Sequence, residues 1–233
     1  MGARPWGTRL SGVQPGAGFE LRRAIKSFGE RRLLDIDAHT FSAGVLHLIK
    51  GDNGVGKSTL LKILAGLERA DELEFFFRGV RYTGINYPDA LRREIVYVHQ
   101  HPYLFSTSVG ANIRYGLKLR KIPVPVREAA ITEAIRWAGL NGIENVTPKR
   151  LSGGEKQRVA LARALVLNAP VMLIDEPTAN LDGKARDLVR VLLESLRAEG
   201  RIVLIATHDP VLMTLPGAFL WQLRDGMLTR AVA

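Results

Sequence analysis

The chain has 233 residues, of which 46% are hydrophobic and 24% charged, and it contains no cysteine. This length suits one large domain with an ample core, and the lack of cysteine excludes a disulfide framework, a thiolate metal site and a thiol nucleophile. The net charge is +10, but seven basic and two acidic residues within the first 32 supply half of that excess. A basic leader explains this charge at least as well as a nucleic-acid groove, so we expect no nucleic-acid partner.

The beginning of the chain divides into a leader and a group of strands. Residues 1–18 are rich in Gly, Pro and Arg and have no hydrophobic period, which predicts a flexible basic leader. From Phe19 to Ile49, short apolar segments separated by turn signals predict antiparallel strands that lead into a buried strand, Val45 to Ile49.

The stretch GDNGVGKST follows that buried strand and precedes a leucine-rich helix predicted over Ser58 to Leu67. It fits the pattern G-x-x-x-x-G-K-[ST] in the strand, loop and helix context that binds phosphate. Backbone N–H groups of such a loop surround an oxyanion, and glycines are expected because a Cβ would meet the phosphates. We expect Lys57 on the β- and γ-phosphates and Ser58 on Mg²⁺. The predicted phosphate-binding residues are Gly51, Asp52, Asn53, Gly54, Val55, Gly56, Lys57, Ser58 and Thr59.

The middle of the chain combines a strand with a helical region. The apolar run Glu94 to Val98 predicts a strand that delivers Gln100 at its carboxyl end, where open α/β sheets bind ligands. Helical patterns over 109–119 and 126–138 then predict a helical subdomain over about residues 102–165, inserted into the sheet domain. Within it, Ser152 and Glu155 predict a capping box at the start of a helix.

The last third carries the candidate catalytic acids. The apolar strand predicted over Val171 to Asp175 ends in Asp175 and Glu176. After a phosphate loop, such a pair predicts that Asp175 holds Mg²⁺ through water and that Glu176 polarises the attacking water; without the loop, two helix-capping acids would be the simpler interpretation. A helix over 186–198, a strand over 202–206 that ends at His208, and a hairpin over 219–232 complete an α/β fold with a mostly parallel sheet.

In this order the segments resemble the nucleotide-binding ATPase subunit of ATP-binding cassette (ABC) transporters. The resemblance covers residues 19–233 and implies a single ABC ATPase domain, a P-loop NTPase with a mostly parallel, RecA-like core sheet, an antiparallel β subdomain and the inserted α-helical subdomain. The matching segments are GDNGVGKST as Walker A, Gln100 as the Q-loop, LSGGEKQ as the signature, VMLIDE as Walker B, ANLD (Ala179 to Asp182) as the D-loop and His208 as the switch histidine.

The resemblance also implies a role for each site residue, with ATP and Mg²⁺ as ligands and an ATP-dependent homodimer. Phe28, otherwise interpreted as a core residue, would stack on adenine. Asp182 would couple the two sites of the dimer. The signature residues would cover the ATP of the partner subunit: Ser152, Gly153, Gly154 and Glu155. The catalytic residues would be Glu176, His208, Gln100 and Lys57, and the Mg²⁺ ligands Ser58, Gln100 and Asp175.

The kind of transporter is indicated by sequence patterns that are less specific than these motifs. No apolar stretch approaches a membrane span, and the lack of fused spans favours an importer whose permease is a separate chain. Residues 97–117 and 137–140 most resemble tungstate-type oxyanion importers. We therefore expect a cytoplasmic protein on the inner face of the membrane, docked on a permease through Pro102 to Phe105 and the helical subdomain. A periplasmic or extracellular substrate-binding protein would act indirectly.

Other interpretations remain at this stage. The importer could serve another small solute, such as phosphate, an amino acid or a metal. A DNA-associated cassette ATPase would carry a coiled-coil insertion between Ser58 and Ser152, where no sustained heptad pattern occurs. A translation-type protein would carry two cassettes, and this chain has one. A module that only binds nucleotide is disfavoured because Glu176 is intact.

Overall fold

The computed structural model describes residues 18–84, 86–119, 122–179 and 181–231. Residues 1–17 of the predicted leader, Asn180 of the predicted D-loop and Val232 of the predicted hairpin lie outside these ranges. No helix in the described part of the chain is both long and apolar enough to cross a membrane.

Strands and helices alternate along most of the described chain. The strands are β1 Gly18–Phe28, β2 Arg31–Ile36, β3 His39–Ser42, β4 Val45–Lys50, β5 Glu72–Phe77, β6 Val80–Thr83, β7 Ile95–Val98, β8 Val171–Asp175, β9 Ile202–Ala206, β10 Phe219–Arg224 and β11 Met227–Arg230. The α-helices are α1 Lys57–Leu64, α2 Asp89–Glu94, α3 Val109–Leu119, α4 Val124–Trp137, α5 Gly153–Leu165, α6 Gly183–Ala198 and α7 Pro210–Met213, and a short 3-10 helix covers Pro148–Arg150.

The central sheet has the order β11-β10-β4-β9-β8-β7, and all its pairings are parallel except that of β10 with β11. Strands β8 and β9 are buried at every position, as their apolar sequences predict for a sheet covered on both faces. Ala206 pairs with both Ile49 and Asp175. The ends of β4, β8 and β9 therefore meet at one edge of the sheet, and the segments that follow these strands start there.

A second, antiparallel sheet has the order β2-β1-β5-β6, with β3 paired to the other part of β1. Its buried face shares one hydrophobic cluster with α1, in which Phe19 stacks on Phe75 at a ring-centroid distance of 4.6 Å and Leu60 and Leu61 are fully buried. This packing holds the helix that follows the phosphate loop between the two sheets.

Helices α3, α4 and α5 lie between β7 and β8 in the chain and share the other hydrophobic cluster, to which Ile113, Ile131 and Leu161 belong. The predicted fold class, a mostly parallel core sheet with an antiparallel β subdomain and inserted helices, is confirmed.

Several boundaries differ from the prediction. Helix α1 ends at Leu64, not Leu67, because Gly66 adopts a φ of +68° and its backbone lies against the ring of Tyr87. Leu67, predicted as the last residue of that helix, lies beyond its end and is 61% exposed. Helix α2 was not predicted, and the strand expected from Glu94 starts at Ile95. Helix α6 starts at Gly183 instead of Arg186.

Candidate functional site

The phosphate loop, residues 51–56, connects β4 to α1 at the carboxyl edge of the central sheet. Lys57 opens the helix and is 7% exposed. Its Nζ donates to the carbonyl oxygens of Gly51 at 2.7 Å and Asp52 at 3.0 Å. An ammonium group has three N–H bonds, and these contacts use two of them to hold the loop in its curled shape.

Two glycines in this loop are required by the protein's own packing. A Cβ on Gly51 would lie 2.4 Å from the carbonyl oxygen of Leu223, and one on Gly56, at a φ of +113°, would lie 2.8 Å from Leu34 Cδ2. These contacts within the chain require glycine at both positions, and the expected contact of a Cβ with the phosphates stays a prediction. Gly54, at a φ of +76°, has open space on its Cβ side.

Asp175 ends β8 and is 2% exposed. Its Oδ2 accepts a hydrogen bond from the Tyr97 hydroxyl at 3.1 Å, while Oδ1 is buried and has no hydrogen-bond partner among the described residues. Burial, together with the Asp175 charge and this bond, raises the pKa of Tyr97, so its hydroxyl stays protonated and continues to donate.

An unpartnered buried carboxylate oxygen fits a cation or a water bound to one. Mg²⁺ takes few protein ligands, commonly one or two carboxylates, and completes its shell with water and phosphate oxygens. Asp175 supplies one carboxylate, and Ser58, half-buried in the first turn of α1, supplies a hydroxyl at the same edge of the sheet. The residues present therefore fit the predicted ion.

Glu176 follows directly and is buried in an unusual backbone conformation. Its φ is +46°, in the left-handed region that non-glycine residues rarely adopt, and its N–H donates to Ala206 O at 2.9 Å. The side chain meets His208, whose Nδ1 lies 2.8 Å from Glu176 Oε1. With Glu176 ionised, the Nδ1–H tautomer donates this bond. Such strained backbone conformations concentrate at functional sites.

A cleft of about 410 Å³ opens beside this pair. It brings together three of the predicted catalytic residues, Gln100, Glu176 and His208. Residues that were not predicted also line it, among them Arg186, His101 and Thr178. The signature residues do not line this cleft.

The signature turn lies at the N-terminus of α5. Ser152 Oγ accepts from Glu155 N at 3.2 Å, and the Glu155 carboxylate accepts from Ser152 N at 2.8 Å, which completes the predicted capping box. The Ser152 hydroxyl also donates to the Glu155 carboxylate at 2.9 Å, and the bonds from the Ser152 N–H and hydroxyl lower the pKa of Glu155. Ser152 and Gly153 are exposed, and a Cβ on Gly153 would meet no atom within 4 Å. The turn is thus preformed and open to the outside.

The structure also shows the contacts of two further predicted residues, Phe28 and Asp182. Phe28 ends β1 and is 54% exposed, so its interpretation as a core residue is wrong, and Lys26 Nζ lies 4.5 Å from its ring centroid. Asp182 caps α6 by accepting from Ala185 N at 2.8 Å. Its coupling of two sites remains a prediction.

A larger groove of about 620 Å³ lies between β7, α3 and α5. Tyr103 and Tyr115 on its walls are 75% and 47% exposed, and the Phe105 ring contacts both. Arg163 lines the same groove with its guanidinium 5.8 Å from the Phe105 ring. Burial lowers the pKa of Arg163, and among the described residues no carboxylate offsets it.

Sequence reasoning missed Tyr97 and Lys26, which act on predicted residues. Tyr97 reaches Asp175 from the neighbouring strand, and no local pattern marks such a contact. Lys26 could have been found from the period of two in a strand, since it shares a face of β1 with Phe28. Arg186 lies one helical turn beyond Asp182, a spacing that becomes informative once α6 is known to start at Gly183.

The chain matches the family model described as "ABC transporter" over residues 34–179. It is 37% identical over 192 residues to the Fe(3+) ions import ATP-binding protein FbpC of Escherichia coli (strain K12), covering 82% of this chain and 54% of that protein. It is 36% identical over 185 residues to the tungstate uptake system ATP-binding protein TupC of Peptoclostridium acidaminophilum, covering 79% of this chain and 84% of that protein.

A sulfate/thiosulfate import ATP-binding protein, CysA of Thermosynechococcus vestitus, is 37% identical over 194 residues, covering 82% of this chain and 57% of that protein. The chain therefore spans little more than half the length of CysA and FbpC. Among solved structures, the dimeric post-hydrolysis state of the ATP-binding cassette MJ0796 bound to ADP and Pi aligns with a TM-score of 0.80 and 28% identity, over 92% of this chain and 99% of that one. With more than half of its length matched by the family model, the chain belongs to the ABC transporter family.

Proposed function

We propose that this protein is the ATP-binding and ATP-hydrolysing subunit of an ABC importer, and that two copies close around two ATP molecules. One observation carries this proposal. A self-braced phosphate loop, the Asp175 carboxylate with an unpartnered oxygen, and the Glu176–His208 pair lie at the same edge of the sheet.

Hydrolysis requires a water aligned with the γ-phosphorus, whose bond to the β–γ bridging oxygen breaks to release ADP and phosphate. Glu176 is suited to orient that water and accept its proton, because its buried carboxylate faces the cleft that Gln100 and His208 share. His208 holds Glu176 Oε1 at 2.8 Å and would contact the γ-phosphate with its exposed ring. When ATP binds, the Lys57 ammonium would give up a hydrogen bond to a loop carbonyl and donate to phosphate oxygens instead.

The predicted ion has a defined place in this proposal. Asp175, Ser58 and Gln100 would hold Mg²⁺, which, when bound, neutralises charge on the β- and γ-phosphates. Tyr97 keeps one oxygen of Asp175 occupied by a hydrogen bond, which leaves the other free to face the ion.

The second half of each site would come from the partner copy. The N–H groups of the exposed residues at the start of α5 would form an anion site. None of the signature residues lines the cleft beside Glu176, so the anion would be bound on the other copy. Closure would join Ser152, Gly153 and Gly154 to the γ-phosphate bound on the other subunit, and hydrolysis would remove those contacts. The solved structure of MJ0796 bound to ADP and Pi is a dimer, which supports the pairing of two copies.

The permease would dock in the groove between β7, α3 and α5. Its aromatic walls suit the apolar face of a short helix, and Arg163 suits a carboxylate on that helix, because a half-buried cation without an ion partner gains from one. This interface would bring the protein to the inner face of the membrane, as predicted.

We further propose an oxyanion such as tungstate as the transported substrate. TupC supports this choice because the alignment covers most of both chains, and the sulfate relative CysA also serves an oxyanion. The iron relative FbpC, at 37% identity against 36% for TupC, favours a different solute, so a metal ion is the second candidate.

Transport assays in vesicles test the proposal. The protein, reconstituted with its permease and substrate-binding protein, should hydrolyse ATP and take up tungstate in preference to sulfate and Fe³⁺. Uptake of Fe³⁺ alone would contradict the oxyanion assignment while leaving the ATPase intact. A wild-type complex that turns over no ATP with Mg²⁺ present would contradict the function itself.

A further inference from the structure

Lys26 and Phe28 lie on the same face of β1, near its carboxyl end. The Lys26 Nζ lies 4.5 Å from the centroid of the Phe28 ring. A cation over a ring at this distance is attracted by the negative charge of the ring face. More than half of Phe28 is exposed, whereas Lys26 is 8% exposed, so the cation covers the inner side of the ring and the outer side stays open.

The position of Lys26 is fixed from a second direction. Its Nζ lies 2.8 Å from Glu68 Oε1 and donates to Arg69 O at 2.7 Å. Glu68 and Arg69 belong to the segment that follows α1. The same segment makes a further contact with the end of β1, because Ser27 N donates to Asp71 Oδ2 at 2.6 Å. The Phe28 ring is therefore tied through Lys26 to the helix that starts at the phosphate loop.

We infer that Lys26 is a positioning residue for a purine platform, in which the Lys26 ammonium polarises and immobilises the Phe28 ring so that its open face stacks on the base of a bound nucleotide. This inference rests on the ATP binding of the proposed function and on the resemblance, which implies that Phe28 stacks on adenine. The cation draws electron density towards itself, which favours an electron-rich purine on the opposite face. A ring that is already immobilised also loses less conformational freedom when the base binds.

Binding of three probes to purified full-length protein tests the inference by calorimetry: ATP, CTP and inorganic tripolyphosphate. Lys26→Met should weaken ATP binding about three- to fivefold, weaken CTP binding less, and leave tripolyphosphate binding unchanged because that probe has no base. Lys26→Arg should restore ATP affinity, since guanidinium also binds ring faces. Glu68→Gln, which frees the ammonium without removing it, should give a smaller loss.

Arg22, on the same strand as Lys26, provides a matched control, because its guanidinium lies 5.4 Å from the ring of Phe76 on β5. Arg22→Met removes one cation–ring pair and one positive charge, and should leave all three affinities unchanged. In a Phe28→Leu background, Lys26→Met should have no further effect on ATP binding.

The possible results of these binding measurements test different parts of the inference. Equal weakening of ATP and tripolyphosphate in Lys26→Met would overturn the inference, since it would show a general charge effect. So would an unchanged ATP affinity in Lys26→Met or an effect that persists in the Phe28→Leu background, even if Phe28→Leu alone weakens ATP. If Phe28→Leu alone leaves ATP binding unchanged, the predicted adenine contact of Phe28 fails and takes this inference with it, while the proposed ATPase function stands. Should Lys26→Met fail to fold, Glu68→Gln carries the same test.

Discussion

The phosphate loop and the signature turn both place glycines and backbone N–H groups at the start of a helix, but the chain surrounds them differently. The phosphate loop is bonded by Lys57 to its own carbonyls and packs against Leu223 and Leu34. The signature turn is held by its capping box, and a Cβ on Gly153 would meet no atom of the described residues within 4 Å. The phosphate loop is thus braced by contacts within its own chain, whereas Gly153 of the signature turn faces open space among the described residues.

The largest effect should come from the acid beside the phosphate loop. Glu176→Gln removes the base while keeping the size of the side chain, and should reduce phosphate release from ATP at least a hundredfold. Because ATP is still bound but not cleaved, the variant should accumulate as an ATP-bound dimer with doubled mass in light scattering. Asp187→Asn, an exposed carboxylate on α6, is the control and should behave as wild type. Unchanged turnover in Glu176→Gln would show that the base is elsewhere.

Adding one methyl group to each glycine turn separates their roles. Gly51→Ala forces a Cβ to 2.4 Å from Leu223 O and should reduce the free energy of unfolding by roughly 3 kcal/mol. Gly153→Ala adds a Cβ that would meet no described residue within 4 Å, so the thermal unfolding temperature should stay unchanged or rise slightly. Its effect should instead be weaker ATP-dependent dimerisation. Equal losses of stability in both variants would remove the contrast between the two turns.

Acidification should reach the two regions in different pH ranges. His47, in the strand that leads to the phosphate loop, accepts from Trp221 Nε1 at 3.2 Å, and burial lowers its pKa to about 4. As the pH falls, His47 therefore binds a proton in the unfolded chain at a higher pH than in the folded protein. Stability is therefore full above pH 6.5 and should fall by roughly 3 kcal/mol as the pH drops towards 4. The smaller contribution of Glu155, whose pKa is lowered below 4.5, persists to more acidic pH before it is lost.

Chemical unfolding at several pH values measures this difference. His47→Gln should flatten the change between pH 6.5 and 4, whereas His101→Gln, an exposed histidine, should not. An unfolding midpoint that falls as steeply in His47→Gln as in wild type would assign the acid sensitivity to another group.

Much of the fold was predictable because its signals are local. Strands β8 and β9 are apolar throughout, so their burial on both faces of a parallel sheet followed from the sequence. The capping box at Ser152 is also a short-range pattern, and the structure contains it. Helix α2 was missed because it is short and its N-cap, Pro88, makes no side-chain cap.

The rest depends on contacts between distant parts of the chain. The Tyr97–Asp175 hydrogen bond spans 78 positions and depends on β7 and β8 being neighbours. The end of α1 at Leu64 depends on the Tyr87 ring, which packs against Gly66. The Lys26–Glu68 ion pair depends on the packing of β1 against the segment after α1. Such pairings follow from three-dimensional packing, which a one-dimensional pattern does not contain.

The most direct test of a site shared between two copies is to mix two inactive variants. Lys57→Ala should lose hydrolysis through its phosphate loop, and Ser152→Arg through its signature turn. In a mixed dimer, one site combines the intact loop of the Ser152→Arg chain with the intact turn of the Lys57→Ala chain. The account predicts that mixing restores ATP turnover to at most about a quarter of the wild-type rate, since random pairing gives half mixed dimers with one intact site each. No recovery from a mixture shown to contain mixed dimers, or full activity of Ser152→Arg alone, would contradict it.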